Sequence, residues 1–136
     1  MNQDVCWKRW LDSYSKSLRQ LTMFIEKGEL NELERQGLIH SFECTYELAC
    51  DTINDFFEFQ GETDILGRRD AFHLASKRGL VENDEVWMEM IESRGLTSHS
   101  YNEDVAQAVV QSIGAAYHGE LARLYARFEA LGSQSR

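Results

Sequence analysis

Apolar side chains recur along the chain at helical intervals. Trp7, Trp10, Leu11, Tyr14, Leu18, Leu21, Phe24 and Ile25 are separated by steps of 3, 1, 3, 4, 3, 3 and 1. That spacing lines one face of a helix. Arg9, Asp12, Lys16 and Arg19 fall on the wet side, and Gly28 stands where a glycine closes a helix. A second stripe begins near Asn31 or Glu32. It runs through Leu33, Leu38, Ile39, Phe42, Tyr46, Leu48, Ala49, Ile53, Phe56 and Phe57, with Gly37 as a candidate break and Gly61 as its stop. Residues 61–67 read as a polar loop, and a shorter helix is predicted over about 67–78, ended by Gly79. Leu80 to Asp84 is a turn. A fourth helix then carries Val86, Trp87, Met90 and Ile91 and is expected to stop near Arg94-Gly95.

The start of the last helix is written as a capping box, Ser100 with Glu103 three residues on, with Asn102 as the alternative cap. Val105, Ala106, Val109, Val110, Ile113, Tyr117, Leu121, Leu124, Phe128 and Leu131 continue the stripe past Gly114 and Gly119. About 30 helical residues span about 45 Å. The pattern predicts an all-α, four- to five-helix antiparallel bundle, with three long helices and two short ones. It forms a single domain over residues 1–131, followed by a polar tail at 132–136 that is expected to fray.

Composition narrows this further. The chain has 136 residues, enough for one hydrophobic core. Hydrophobic residues at 43% and charged residues at 27% exclude global disorder. Pro 0 favours long uninterrupted helices over a many-turned β-sandwich. A net charge of −9 disfavours a broad nucleic-acid footprint, which requires a basic surface. It leaves room for a small site where one or two basic groups meet a phosphate. Cys6, Cys44 and Cys50 show no zinc spacing and no disulfide framework, which reads as free thiols in a reducing cytoplasm. Cys44 and Cys50 are expected to be buried small hydrophobes. The N-terminus has no basic, then apolar, signal-peptide pattern, and no run of about 18 apolar residues predicts a membrane span. A cytoplasmic location and no contact with membrane are the resulting expectations.

Chemistry is sparse. Phosphate-loop, dinucleotide, zincin and nucleophile-elbow motifs are absent from the sequence, His40, His73, His99 and His118 are scattered, and neither a metal site nor a cofactor is predicted. Glu43 and Glu47 lie one helical turn apart and share a face, either as a solvated pair or as the lining of a groove. The sharpest feature is Arg94-Gly95-Leu96-Thr97-Ser98-His99-Ser100-Tyr101, between two predicted helices. In an unbroken helix, positions five apart point about 140° away from each other. A break at Gly95 would let Arg94 and His99 converge. His99 would then sit beside a helix N-terminus, which attracts anions and resists imidazolium formation. A neutral histidine beside an arginine suits a phosphate site, with His99 as general acid or base and Arg94 as charge clamp.

Four blocks occur in order: Phe42-Glu43-Cys44-Thr45-Tyr46-Glu47-Leu48-Ala49, Arg69-Asp70-Ala71-Phe72, Trp87-Met88-Glu89-Met90, and Arg94-x-Leu96-Thr97-Ser98-His99-x-Tyr101. In this they resemble the nucleotidyltransferase substrate-binding family of the HEPN superfamily, from about Trp10 to Phe128. Two positions depart from the family pattern: Gly95 follows the motif arginine in place of asparagine, and Cys50-Asp51 replaces Trp-Lys.

The resemblance implies an HEPN-like bundle that forms a homodimer and works beside a minimal nucleotidyltransferase of antitoxin type. It implies a metal-independent ribonuclease toxin with an R-x4-H-x-Y motif, in which Arg94 and His99 are catalytic and Tyr101 accepts AMP or contacts substrate. Glu43, Glu47, Arg69 and Ser98 are then candidates for lining the cleft. The alternative is a non-catalytic subunit that binds substrate or nucleotide for the separate nucleotidyltransferase chain. RNA or a nucleotide is the corresponding ligand. A helical interaction protein with no site at all is a third, plainer reading.

Overall fold

The computed structural model describes residues 7–62, 65–99 and 102–134, and the side chains of Ser98, His99 and Gln134 lie outside it. The described residues form an all-α bundle: α1 (Trp10–Lys27), α2 (Glu32–Phe59), α3 (Arg68–Lys77), α4 (Asp84–His99), α5 (Glu103–Ser112) and α6 (His118–Gln134). A π-helical turn, Ile113–Tyr117, joins α5 to α6, and the backbone stays right-handed at Ser112, Ile113 and His118. The last three segments are therefore one continuous rod.

Helix α2 is the axis of the bundle, packing against α1, α3, α4, α5 and α6. Asn31 starts it with a full capping box: its side chain accepts from Glu34 N, and Glu34 Oε1 accepts from Asn31 N. Gly37 does not break the helix. A Cβ at that position would lie 2.8 Å from Phe24 Cζ, so the glycine lets the α1 aromatic lie directly on the α2 backbone. Gly28, at φ 86, ends α1 in a conformation that disfavours a side chain.

The core is aromatic. Trp7 meets Phe56 and Phe128 at centroid distances of 5.2 and 5.5 Å. Phe42 stacks on Tyr117 at 5.3 Å, and Phe72 meets Trp87 at 5.1 Å. Edge and offset ring contacts of this kind add to what area burial alone supplies. Tyr14 is fully buried, and its hydroxyl donates to Leu121 O at 2.7 Å, pinning α1 to α6.

Several local expectations are corrected or decided by the structure. Helix α4 does not stop at Arg94-Gly95 but continues to His99. The single hydroxyl proton of Thr97 is shared between Glu43 Oε2 on α2, at 2.6 Å, and Arg94 O, at 3.1 Å. The last turn of α4 is thus held from inside and from outside, against a glycine cost of about 1 kcal/mol. The final rod is capped by Asn102, the alternative named beside Ser100, which accepts from Asp104 N and Val105 N; Ser100 lies outside the described residues. Cys44 is exposed, its sulfur 3.6 Å from His40 Nε2, while Cys50 is buried. Phe42, Tyr46, Ala49 and Ile53 set the inner face of α2, and position 44 turns about 200° from position 42, so it points outward. Leu33 is exposed for the same reason of phase. Helix α6 takes in the first tail residues, up to Gln134.

His118 joins α1 to α6. Thr22 Oγ1 donates to Leu18 O at 2.8 Å and therefore accepts the Nε2 proton of His118, also at 2.8 Å. Burial holds the imidazole pKa below its usual value, with Glu26 opposing. A depressed histidine pKa means that the unfolded chain binds the proton more readily. Stability from this group is present above about pH 6.5 and is lost as the pH falls below it. The melting temperature should drop between pH 7.5 and 5.5, and His118→Gln should flatten that part of the profile in thermal melts by circular dichroism.

Candidate functional site

The phase of each helix decides which charged side chains meet. On α4, Trp87, Met90 and Ser93 face inward. Arg94 and Thr97 follow Met90 by four and seven residues, which returns them to the same side. On α3, Ala71, Phe72 and Ala75 are buried, and Arg68 lies one turn before them on that face. On α2, Glu43 and Glu47 form an i,i+4 pair at the edge of the buried stripe.

These residues form one continuous charge cluster. Arg94 Nε donates to Glu47 Oε2 at 3.3 Å, and Arg94 Nη1 donates to Glu43 Oε2 at 3.4 Å. Arg68 grips Glu47 with two bonds, Nη2 to Oε1 at 2.6 Å and Nη1 to Oε2 at 3.2 Å. Its guanidinium also lies over the Tyr46 ring at 5.2 Å. Two carboxylates thus face two guanidiniums at the surface of the bundle. Arg94 is 30% exposed, Glu43 20% and Glu47 37%.

The electrostatics follow from this arrangement. The hydrogen bonds from Arg68 hold the Glu47 carboxyl below the usual carboxylate range. Asp51, one turn further along α2, is pushed up by burial and by the charge of Glu47. Burial pushes the Cys50 thiol beneath the cluster up to about 12.

Of the residues expected at the site, Arg94, Glu43 and Glu47 come together. Arg69 does not join them: its Nη1 approaches Met88 Sδ at 3.9 Å, and its neighbour Arg68 takes the place in the cluster. Arg68 and Thr97 are therefore the residues that sequence reasoning missed, and the phase of Ala71, Phe72 and Ala75 was the signal for Arg68. Ser98 and His99 belong to the last turn of α4 by backbone, with side chains outside the described residues, and Tyr101 lies outside them altogether. Because α4 is unbroken, positions 94 and 99 project about 140° apart on one rod. The helix break that was to bring them together is absent.

Two further polar groups brace this region. Tyr117, in the π-turn, donates to Glu89 Oε2 at 3.1 Å and shares a hydrogen bond with Ser93 Oγ at 2.7 Å. Glu120 is buried and accepts from Trp87 Nε1 at 3.1 Å and from Arg123. A groove of about 580 Å³ opens beside the cluster, lined by Asn54, Glu58, Glu62, Ile65, Gly67 and Arg68. Two glutamates on its wall make it a poor seat for phosphate away from the Arg68 end. Among the described residues, no group of three or more His, Cys, Asp or Glu side chains gathers to hold a metal ion. No helix among them is long and apolar enough to cross a membrane.

The described residues thus form a small all-α bundle that carries a cluster of Glu43, Glu47, Arg68 and Arg94 on its surface. The chain matches the family described as nucleotidyltransferase substrate binding protein like over residues 9–130, and it belongs to that family. None of the curated proteins matches it.

Proposed function

We propose that this chain is the helical partner of a separate nucleotidyltransferase subunit, and that its Arg94 face contacts the phosphate of the ligand the two handle. The observation that carries this reading is the Glu43–Arg94–Glu47–Arg68 cluster. It sets a half-exposed guanidinium on a rigid three-helix frame, the group suited to phosphate oxygens. The net charge of −9 fits a local phosphate contact better than a long RNA track. The family description supplies the partner. The chain works as a two-fold homodimer that buries more than about 1,000 Å² in total. Leu96, 54% exposed two residues after Arg94, supports a contact surface there.

The test is to mix the chain with the nucleotidyltransferase encoded beside it and follow light scattering during gel filtration. A stable complex containing two copies of this chain is expected. Arg94→Ala should leave the complex intact and weaken binding of the nucleotide ligand. Separate elution of the two chains overturns the reading, and a monomer at tens of micromolar overturns the dimer.

A second reading is metal-independent ribonuclease activity through Arg94 and His99, leaving a 2′,3′-cyclic phosphate. It is favoured by the intact R-x4-H-x-Y spacing. With the two positions about 140° apart on one helix, each arginine would work with the histidine of a second copy. RNA cleavage that survives chelator and disappears in a folded His99→Ala variant would establish it. Equal cleavage, or equal growth arrest, by wild type and His99→Ala would exclude it.

A further inference from the structure

The four members of the cluster are not held equally. Glu43 Oε2 receives Thr97 Oγ1 at 2.6 Å and Arg94 only at 3.4 Å. Glu47 receives Arg68 at 2.6 and 3.2 Å and Arg94 only at 3.3 Å. Both carboxylates therefore have a closer partner, and Arg94 makes the two longest bonds. Arg94 also sits at the ends of two helix-borne glutamates whose negative charges would repel any anion brought to it. A phosphate that approached Arg94 in this position would meet a neutralised cation.

We propose that Glu43 and Glu47 are a clasp that holds Arg94 in a low-affinity state in the free chain, and that a phosphate-bearing ligand binds by drawing Arg94 out of it. This rests on the reading of Arg94 as the phosphate contact. The exchange costs little in geometry. Thr97 and Arg68 keep the two carboxylates partnered after Arg94 leaves, so no buried charge is stranded. The departing guanidinium has a long flexible stem with which to follow the ligand. Thr97 is a positioning residue with a definite sign. Its hydroxyl occupies the Glu43 oxygen that would otherwise grip Arg94 more firmly.

The test uses inorganic tripolyphosphate, titrated calorimetrically into the full chain. It needs neither the partner subunit nor RNA, so its outcome is independent of complex formation and cleavage. Glu43→Gln and Glu47→Gln should each bind the probe about fivefold more tightly than wild type, the size of one half-exposed ion pair. Thr97→Val should bind it more weakly, and Arg94→Ala should lose binding. A merely structural role predicts weaker binding in all four variants, so the opposite signs are the diagnostic readout. If one glutamate variant fails to fold by circular dichroism, the other glutamate variant and Thr97→Val still decide the sign. Weaker or unchanged binding in the folded glutamate variants overturns the clasp. Binding by Arg94→Ala equal to wild type, or no binding by any variant, does the same.

Discussion

Trp87→Ala should lower the unfolding free energy by about 3–5 kcal/mol, the range for deleting a large buried aromatic. Trp87 is fully buried on α4, and its ring meets Phe72 on α3. It is the side chain through which α4 grips both α3 and the final rod. Its indole N–H also donates to the buried Glu120, so truncation opens a cavity and removes a donor from a carboxylate shielded from water. Against a total stability of about 5–15 kcal/mol, such a loss removes a large share of the fold. The melting temperature should fall by about 10–20 °C. Trp87→Phe separates the two effects. It keeps an aromatic ring there, loses the N–H and part of the indole's volume, and should cost about 1–3 kcal/mol, less than Trp87→Ala. Chemical denaturation of the three proteins gives the comparison. A Trp87→Ala variant melting within about 3 °C of wild type would show that α4 is not a structural part of the core.

Tyr101→Phe should abolish AMP transfer to this chain by its nucleotidyltransferase partner. The expectation rests on the R-x4-H-x-Y resemblance, in which Tyr101 is the acceptor. Tyr101 follows α4 and precedes the Asn102 cap, in the segment between two helix ends. AMP attached there adds a phosphate charge and a large base within a few residues of the Arg94 face. On the resemblance, such a charge and bulk would oppose an anionic ligand. Intact mass after incubation with partner, ATP and magnesium should rise by one AMP in wild type and stay unchanged in Tyr101→Phe. An unchanged wild-type mass, or an equal gain in both proteins, rules the mechanism out. If the ribonuclease reading also holds, Tyr101→Phe should remain toxic in the presence of the partner, unless the partner neutralises by binding alone.

Part of the charge cluster is legible in the sequence. Glu43 and Glu47 were readable because an i,i+4 spacing puts two side chains on one face in any helix. Arg94 was readable from the motif. Arg69, a cleft candidate through the resemblance, does not reach the cluster, and Arg68 does. Both residues belong to the first turn of α3, and only the packing of Ala71, Phe72 and Ala75 turns Arg68 toward Glu47. The convergence of Arg94 with His99 was built on Gly95 as a helix breaker. Intrinsic propensity sets a glycine cost of about 1 kcal/mol, and the bonds from Arg94 and Thr97 to α2 act together against it.

What the sequence determined by itself is therefore the part governed by local periodicity. The stripes of α1, α2 and the final rod, the start of α2 at Asn31 and the stops at Gly28, Gly61 and Gly79 follow from side-chain spacing and cap chemistry, which act within one or two turns. Only the tertiary structure decided what depends on residues distant in the chain. It carried α2 unbroken through Gly37, where the Phe24 ring lies against the glycine. It inserted the π-turn at Ile113–Tyr117, which aims Tyr117 at Ser93 and Glu89. It carried α4 through Gly95, and it joined Arg68 and Arg94 to the same pair of glutamates. The physical reason is the same in each case. A helix sets the angle between its own side chains, but its rotation and its end are settled by the neighbours against which it packs.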